Sequence, residues 1–105
     1  MYIYNVTINV DESIHHEWLS WMQEIHIPEV LATRKFSKAL MSQVLVKEEM
    51  GGITYSIQYT ADSKETLMAY YSDDANRLRQ DVFKKFGNKF GAFRTEMKIV
   101  KEFFN

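Results

Sequence analysis

Hydrophobic and polar positions alternate strictly over residues 2–10. Tyr2, Tyr4, Val6, Ile8 and Val10 fall on one side, and Ile3, Asn5, Thr7 and Asn9 on the other. That is the period of a strand with one buried face. The period then changes. Ile14, Trp18, Trp21, Met22 and Ile25 recur at helical spacing, with Asp11 or Ser13 as the capping residue. Pro28 drives Ile27 towards extended geometry, so this helix is predicted to stop near His26, with Pro28 opening a short helical turn over 28–32. Residues 34–49 read as a long, uneven strand in which a bulge blurs the two faces. Gly51-Gly52 is a turn, and 53–60 is the clearest strand, so the pair forms a hairpin. Asp62 and Glu65 have capping-box spacing. Leu67, Tyr71, Ala75, Leu78, Val82 and Phe86 then step through a helix over about 63–87, closed by Gly87 or Asn88. A last strand is predicted over 92–104.

The order β-α-β-β-α-β predicts a single α+β domain over 1–105, a ferredoxin-like sandwich with both helices on one sheet face. Tyr4, Val6, Ile8, Ile53, Tyr55, Ile57 and Tyr59 should lie beneath the helices. The opposite face should collect Asn5, Thr7, Asn9, Thr54, Ser56, Gln58 and Thr60, together with Arg94 and Glu96. An antiparallel sheet can leave such a face to water. Two such faces can instead meet in a homodimer and close a barrel with a partly polar interior, where neutral amides and hydroxyls satisfy one another or a ligand.

Composition favours the dimer. Two Trp, six Tyr and seven Phe in 105 residues call for more buried surface than one small core supplies, and Phe103-Phe104 stand at the very end. A net charge of −1 provides no global field for nucleic acid or an anionic membrane. With no cysteine there is no disulfide, thiolate nucleophile or thiolate metal site; a reducing cytoplasm fits. The start of the chain lacks a signal-peptide pattern, and no apolar run approaches the ~18 residues of a membrane span.

Ile3-Tyr4-Asn5-Val6-Thr7, Glu24-Ile25-His26-Ile27-Pro28-Glu29-Val30-Leu31, Thr54-Tyr55-Ser56-Ile57-Gln58-Tyr59 and Phe90-Gly91-Ala92-Phe93-Arg94-Thr95 occur in this order. On these motifs the chain resembles a small bacterial family, domain-of-unknown-function family 4286. The resemblance implies a dimeric α/β barrel, a ferredoxin-like protomer pairing through its open sheet face. That group includes cofactor-free monooxygenases, muconolactone isomerase-like enzymes, haem proteins and plain binding proteins, so it implies fold and dimerisation rather than chemistry.

Within that frame the candidate ligand-binding residues are Asn5, Thr7, Ser56, Gln58, Arg94 and Glu96. Arg94 is the one obvious cation assigned to the polar face, and buried there it requires a carboxylate, from Glu96 or from a small acid. His26 is the single candidate for catalysis, as a base or a ligand-orienting donor. The competing reading makes it a helix-closing histidine before Pro28 and is preferred. With helices and Arg94 on opposite faces, the two could meet only around a sheet edge or through a partner. Glu12 and His16 are four apart, but nothing completes a metal site. No cofactor fingerprint is present. An RNA-recognition motif shares this element order but needs aromatics on the open face, which is predicted nearly free of them. The reading is a homodimeric cytoplasmic protein whose polar barrel interior binds a small acidic or polar molecule, without nucleic acid or membrane. The alternatives are a structural or regulatory dimer without ligand and a cofactor-free monooxygenase- or isomerase-like enzyme.

Overall fold

The computed structural model describes residues 1–46 and 51–105. Four strands form one antiparallel sheet in the order β2-β3-β1-β4: β1 (Tyr2–Val10), β2 (Lys38–Gln43), β3 (Ile53–Ala61) and β4 (Phe90–Lys98). Two helical stretches cover one face, giving a two-layer slab of 37 × 36 × 20 Å. This is the ferredoxin-like architecture that alternating periods two and 3.6 predict. Among the described residues no helix is long and apolar enough to cross a membrane.

The central pair, β1 and β3, matches the predicted pattern. Tyr4 lies opposite Tyr59, Val6 opposite Ile57 and Ile8 opposite Tyr55, all buried under the helices. Both edge strands are shorter than the sequence suggested, because a strand extends only as far as its neighbour can hydrogen-bond to it. β4 ends at Lys98, opposite Tyr2, the first residue of β1, and the Ile99 amide reaches the Met1 carbonyl at 2.9 Å. β2 runs regularly from Lys38, opposite Thr60, to Gln43, opposite Tyr55. Residues 47–49 of the predicted strand lie outside the described residues. Gly51 and Gly52 both take positive φ in the connection, and a Cβ on Gly52 would stand 2.5 Å from the Asn9 side chain.

Each helical stretch contains a π turn. The first comprises a 3₁₀ turn (Glu12–Ile14), α1 (His15–Trp21), a π segment (Met22–His26) and α2 (Ile27–Ala32), without a break. Pro28 therefore does not end the helix at His26. The wider i→i+5 turn just before it removes the clash that a proline ring makes with the carbonyl four residues back, and Pro28 sits in the first turn of α2. The extra residue also rotates the buried stripe. In place of Ile25, which is 43% exposed, the core series is Trp18, Met22, His26 and Val30. The second stretch is α3 (Lys64–Tyr70), a π segment (Tyr71–Ala75) and α4 (Asn76–Phe86), ending at Gly87 as predicted. Its N-cap is Ser63, whose hydroxyl accepts from the Thr66 amide, and not Asp62.

Register overturns one assignment. In paired strands, residues directly opposite one another point to the same face. Arg94 is opposite Val6 and Glu96 opposite Tyr4, so both lie on the helix-covered face. Phe93, Thr95 and Met97 take the open face instead. The alternation of β4 was read correctly but its sides were exchanged: the apolar-looking set faces outwards, so the open face is not nearly aromatic-free.

Candidate functional site

The open face brings together four of the expected binding residues. Asn5 stands opposite Gln58, and Thr7 opposite Ser56. Ser56 Oγ donates to Asn5 Oδ1 at 2.6 Å, and Asn5 Nδ2 donates to Thr7 Oγ1 at 3.1 Å. These neutral groups largely satisfy one another. Around them lie Ile3, Leu40, Phe93 and Met97, the last three exposed. A polar centre with apolar flanks suits a second sheet better than a solvated small anion.

The other two expected residues, Arg94 and Glu96, join a different site. Between the sheet and the helices lies a cavity of about 50 Å³. Apolar side chains including Val6, Ile8, Met22, Ile57, Leu78 and Val82 form its walls, and His26, Tyr4, Arg79 and Arg94 also line it. His26 and Arg94 thus share one chamber on one face of the sheet, contrary to the expectation that helices and Arg94 lie on opposite sides. Nor does His26 close a helix: the π turn carries it into the buried stripe, 9% exposed, with its ring stacked on Trp21 at 5.3 Å. Burial pushes its imidazole down to about 4; Asp81 opposes that shift and Arg94 adds to it. It is therefore neutral near pH 7, with one ring nitrogen able to donate and the other to accept.

At the mouth, two guanidiniums converge on one phenol. Arg79, from α4, donates to Tyr4 Oη at 2.9 Å, and Arg94, from edge strand β4, donates to the same oxygen at 3.0 Å. Both bonds end on one oxygen, so the two cationic nitrogens lie within about 6 Å, where unit charges repel by roughly 1–3 kcal/mol between bulk-water and protein-surface dielectrics. Among the described residues neither arginine has a carboxylate within salt-bridge distance; the ion pairs there join Lys35 to Asp73 and Asp74, and Arg77 to Asp74. The nearby Glu96 instead accepts from Tyr71 Oη at 2.8 Å. Burial holds the Tyr59, Tyr70 and Tyr71 hydroxyls well above the usual tyrosine range, so they stay protonated.

Three buried side-chain nitrogens have no hydrogen-bond partner among the described residues: Trp18 Nε1, His26 Nδ1 and Arg79 Nε. Two of the three belong to residues lining this cavity. An unsatisfied buried polar atom costs about 1–3 kcal/mol, so such atoms collect where something else meets them. The first π segment borders the cavity through Met22 and His26, and Tyr70, the residue just before the second, lines it as well; π turns recur at functional sites. Arg79, which the sequence reading did not single out, lies four residues after Ala75 and three before Val82, in line with the buried stripe.

Comparison with known proteins agrees with the fold. A family model described as Domain of unknown function (DUF4286) matches residues 1–100. No curated protein matches the sequence. A dimeric ferredoxin-like protein from an uncultured marine organism superimposes with a TM-score of 0.68 at 18% identity, covering 100% of each chain. A second dimeric ferredoxin-like protein from an uncultured marine organism gives 0.68 at 14% identity, covering 97% of both chains. An EthD family protein from Bacillus halodurans gives 0.66 at 15% identity, covering 93% of this chain and all of that one.

Proposed function

The chain belongs to the DUF4286 family of domains of unknown function, and we propose that it is a homodimeric binding protein for a small acidic molecule, held in the cavity between helices and sheet. The observation that carries this reading is the pair Arg79 and Arg94. Two cations without carboxylates converge at the mouth of an apolar chamber, where Tyr4 Oη supplies the only shared acceptor among the described residues. A carboxylate in the place of that oxygen receives charge-assisted bonds from both sides and relieves their repulsion. The apolar walls take the body of the ligand. This moves the acid site from the open sheet face, where Arg94 was expected, to the covered face.

The open face then serves dimerisation. The dimeric ferredoxin-like proteins of similar fold support that reading, as do exposed Leu40, Phe93 and Met97 around the Asn5-Ser56-Thr7 network. The test of the acid site is an amide chemical-shift titration of the labelled chain with pentanoate and with pentanamide. Pentanoate should perturb resonances around Arg79, Arg94 and His26 at millimolar concentration, and the neutral amide at least ten-fold more weakly. The Arg79→Ala/Arg94→Ala double variant should lose the difference. Equal binding of acid and amide overturns the reading.

A further inference from the structure

Resting on that acid-site reading, we infer that the ligand is two-ended: a short carboxylate carrying a second oxygen, as a ketone or hydroxyl, which His26 meets at the inner part of the cavity. In this assignment His26 is the specificity-determining residue, while Arg79 and Arg94 hold the acid.

Three independent features converge on it. First, His26 is about nine-tenths buried, lines the cavity and has Nδ1 unpartnered among the described residues. A ring nitrogen in that state is met by ordered water or by a ligand atom that displaces it. Second, its ring is held in place by the stack on Trp21, so the unpartnered nitrogen is presented in one direction. Third, the other polar groups of the lining, Arg79, Arg94 and the Tyr59 and Tyr70 phenols, gather around Tyr4, and the remaining walls are apolar. A ligand with an acid alone makes no bond to Nδ1, whereas one with a polar inner group gives it a direct partner. A ketone accepts from Nδ1–H; a hydroxyl donates to Nδ1 in the other tautomer. Size limits the class further. An engineered cavity of ~150 Å³ takes benzene, and this one is a third of that, about 50 Å³. A chain of a few carbons, with its carboxylate outside at the arginines, fits that space, and an aromatic acid does not.

The unmodified chain tests this with a matched pair, 4-oxopentanoate and pentanoate, followed by amide shifts and by the His26 ring resonances. We expect the oxo acid to bind about ten-fold or more tightly, since a site with a buried polar group rejects the analogue that cannot bond to it. His26→Phe should bring the two acids to equal affinity by weakening only the oxo acid, and His26→Gln, which retains a donor, should restore part of the preference. Binding of both acids with equal affinity to the unmodified chain overturns the inference and leaves the acid site standing. Binding of neither overturns both. A preference that survives in both His26 variants overturns the role of His26.

Discussion

Protonation of His26 should unfold this protein earlier than carboxylate chemistry would. Its imidazole titrates at about 4 in the folded chain against 6.5 when exposed, because burial removes water from the cation. Between those values the unfolded chain binds more protons than the folded one. Stability therefore falls as pH falls through this window, and the full contribution is present only above 6.5. Going from pH 7 to pH 5 should cost ~2 kcal/mol from this residue alone, and to pH 4 ~3 kcal/mol. For a domain of this size the pH 5 figure is about 10 °C in melting temperature. Asp81 and Arg94 press on the ring with opposite signs, so neither reverses the direction. Asp11, whose carboxyl is held below 3.8 by the Ser13 hydroxyl and amide, acts at lower pH and does not contaminate the window. The assay is urea denaturation at pH 7, 6 and 5 for the unmodified chain and His26→Gln, beside a direct NMR titration of the His26 ring. The variant should lose most of the slope. A ring that titrates near 6.5, or an unchanged slope in the variant, refutes the argument.

Other perturbations separate local effects. Gly51→Ala meets open space and only the positive-φ penalty, roughly 1–2 kcal/mol; Gly52→Ala adds a collision with the Asn9 side chain and the Val10 carbonyl, so denaturation midpoints should show it to be clearly the more damaging of the two. Leu67→Ala, at a fully buried position, should cost about 2–5 kcal/mol in urea titrations, and a loss under about 1 kcal/mol would contradict its burial. Leu40→Lys/Phe93→Lys places two charges on the exposed flanks of the open face; light scattering should show the dimer dissociating while the melting behaviour of the protomer changes little. A mass that stays dimeric removes the open face from the interface.

Much of the fold was legible because periodicity is a local property. Tyr4, Val6 and Ile8 against Ile57 and Tyr59 declared the buried side of β1 and β3 on their own, and Gly87 declared the end of the second helix. The candidate site was legible only in its ingredients. His26 and Arg94 were both singled out, but they were placed on opposite sides of the sheet and joined to the wrong companions. Arg79, which shares Tyr4 with Arg94, went unnamed although its spacing from Ala75 and Val82 puts it on the buried side of the helix.

By itself, then, the sequence determined the element order, the single core and the residues that must lie beneath the helices. Burial of apolar surface at period two or 3.6 leaves little choice there. The tertiary structure decided which side of β4 faces the helices and which residue of the first helix enters the core. An edge strand with mixed alternation takes its facing from the strand it pairs with, and Arg94 follows Val6. A π turn adds one residue to a helical repeat, and so puts His26 where Ile25 was due. Both decisions were made by long-range pairing and packing, and together they bring a neutral histidine and two arginines that share one phenol into one chamber.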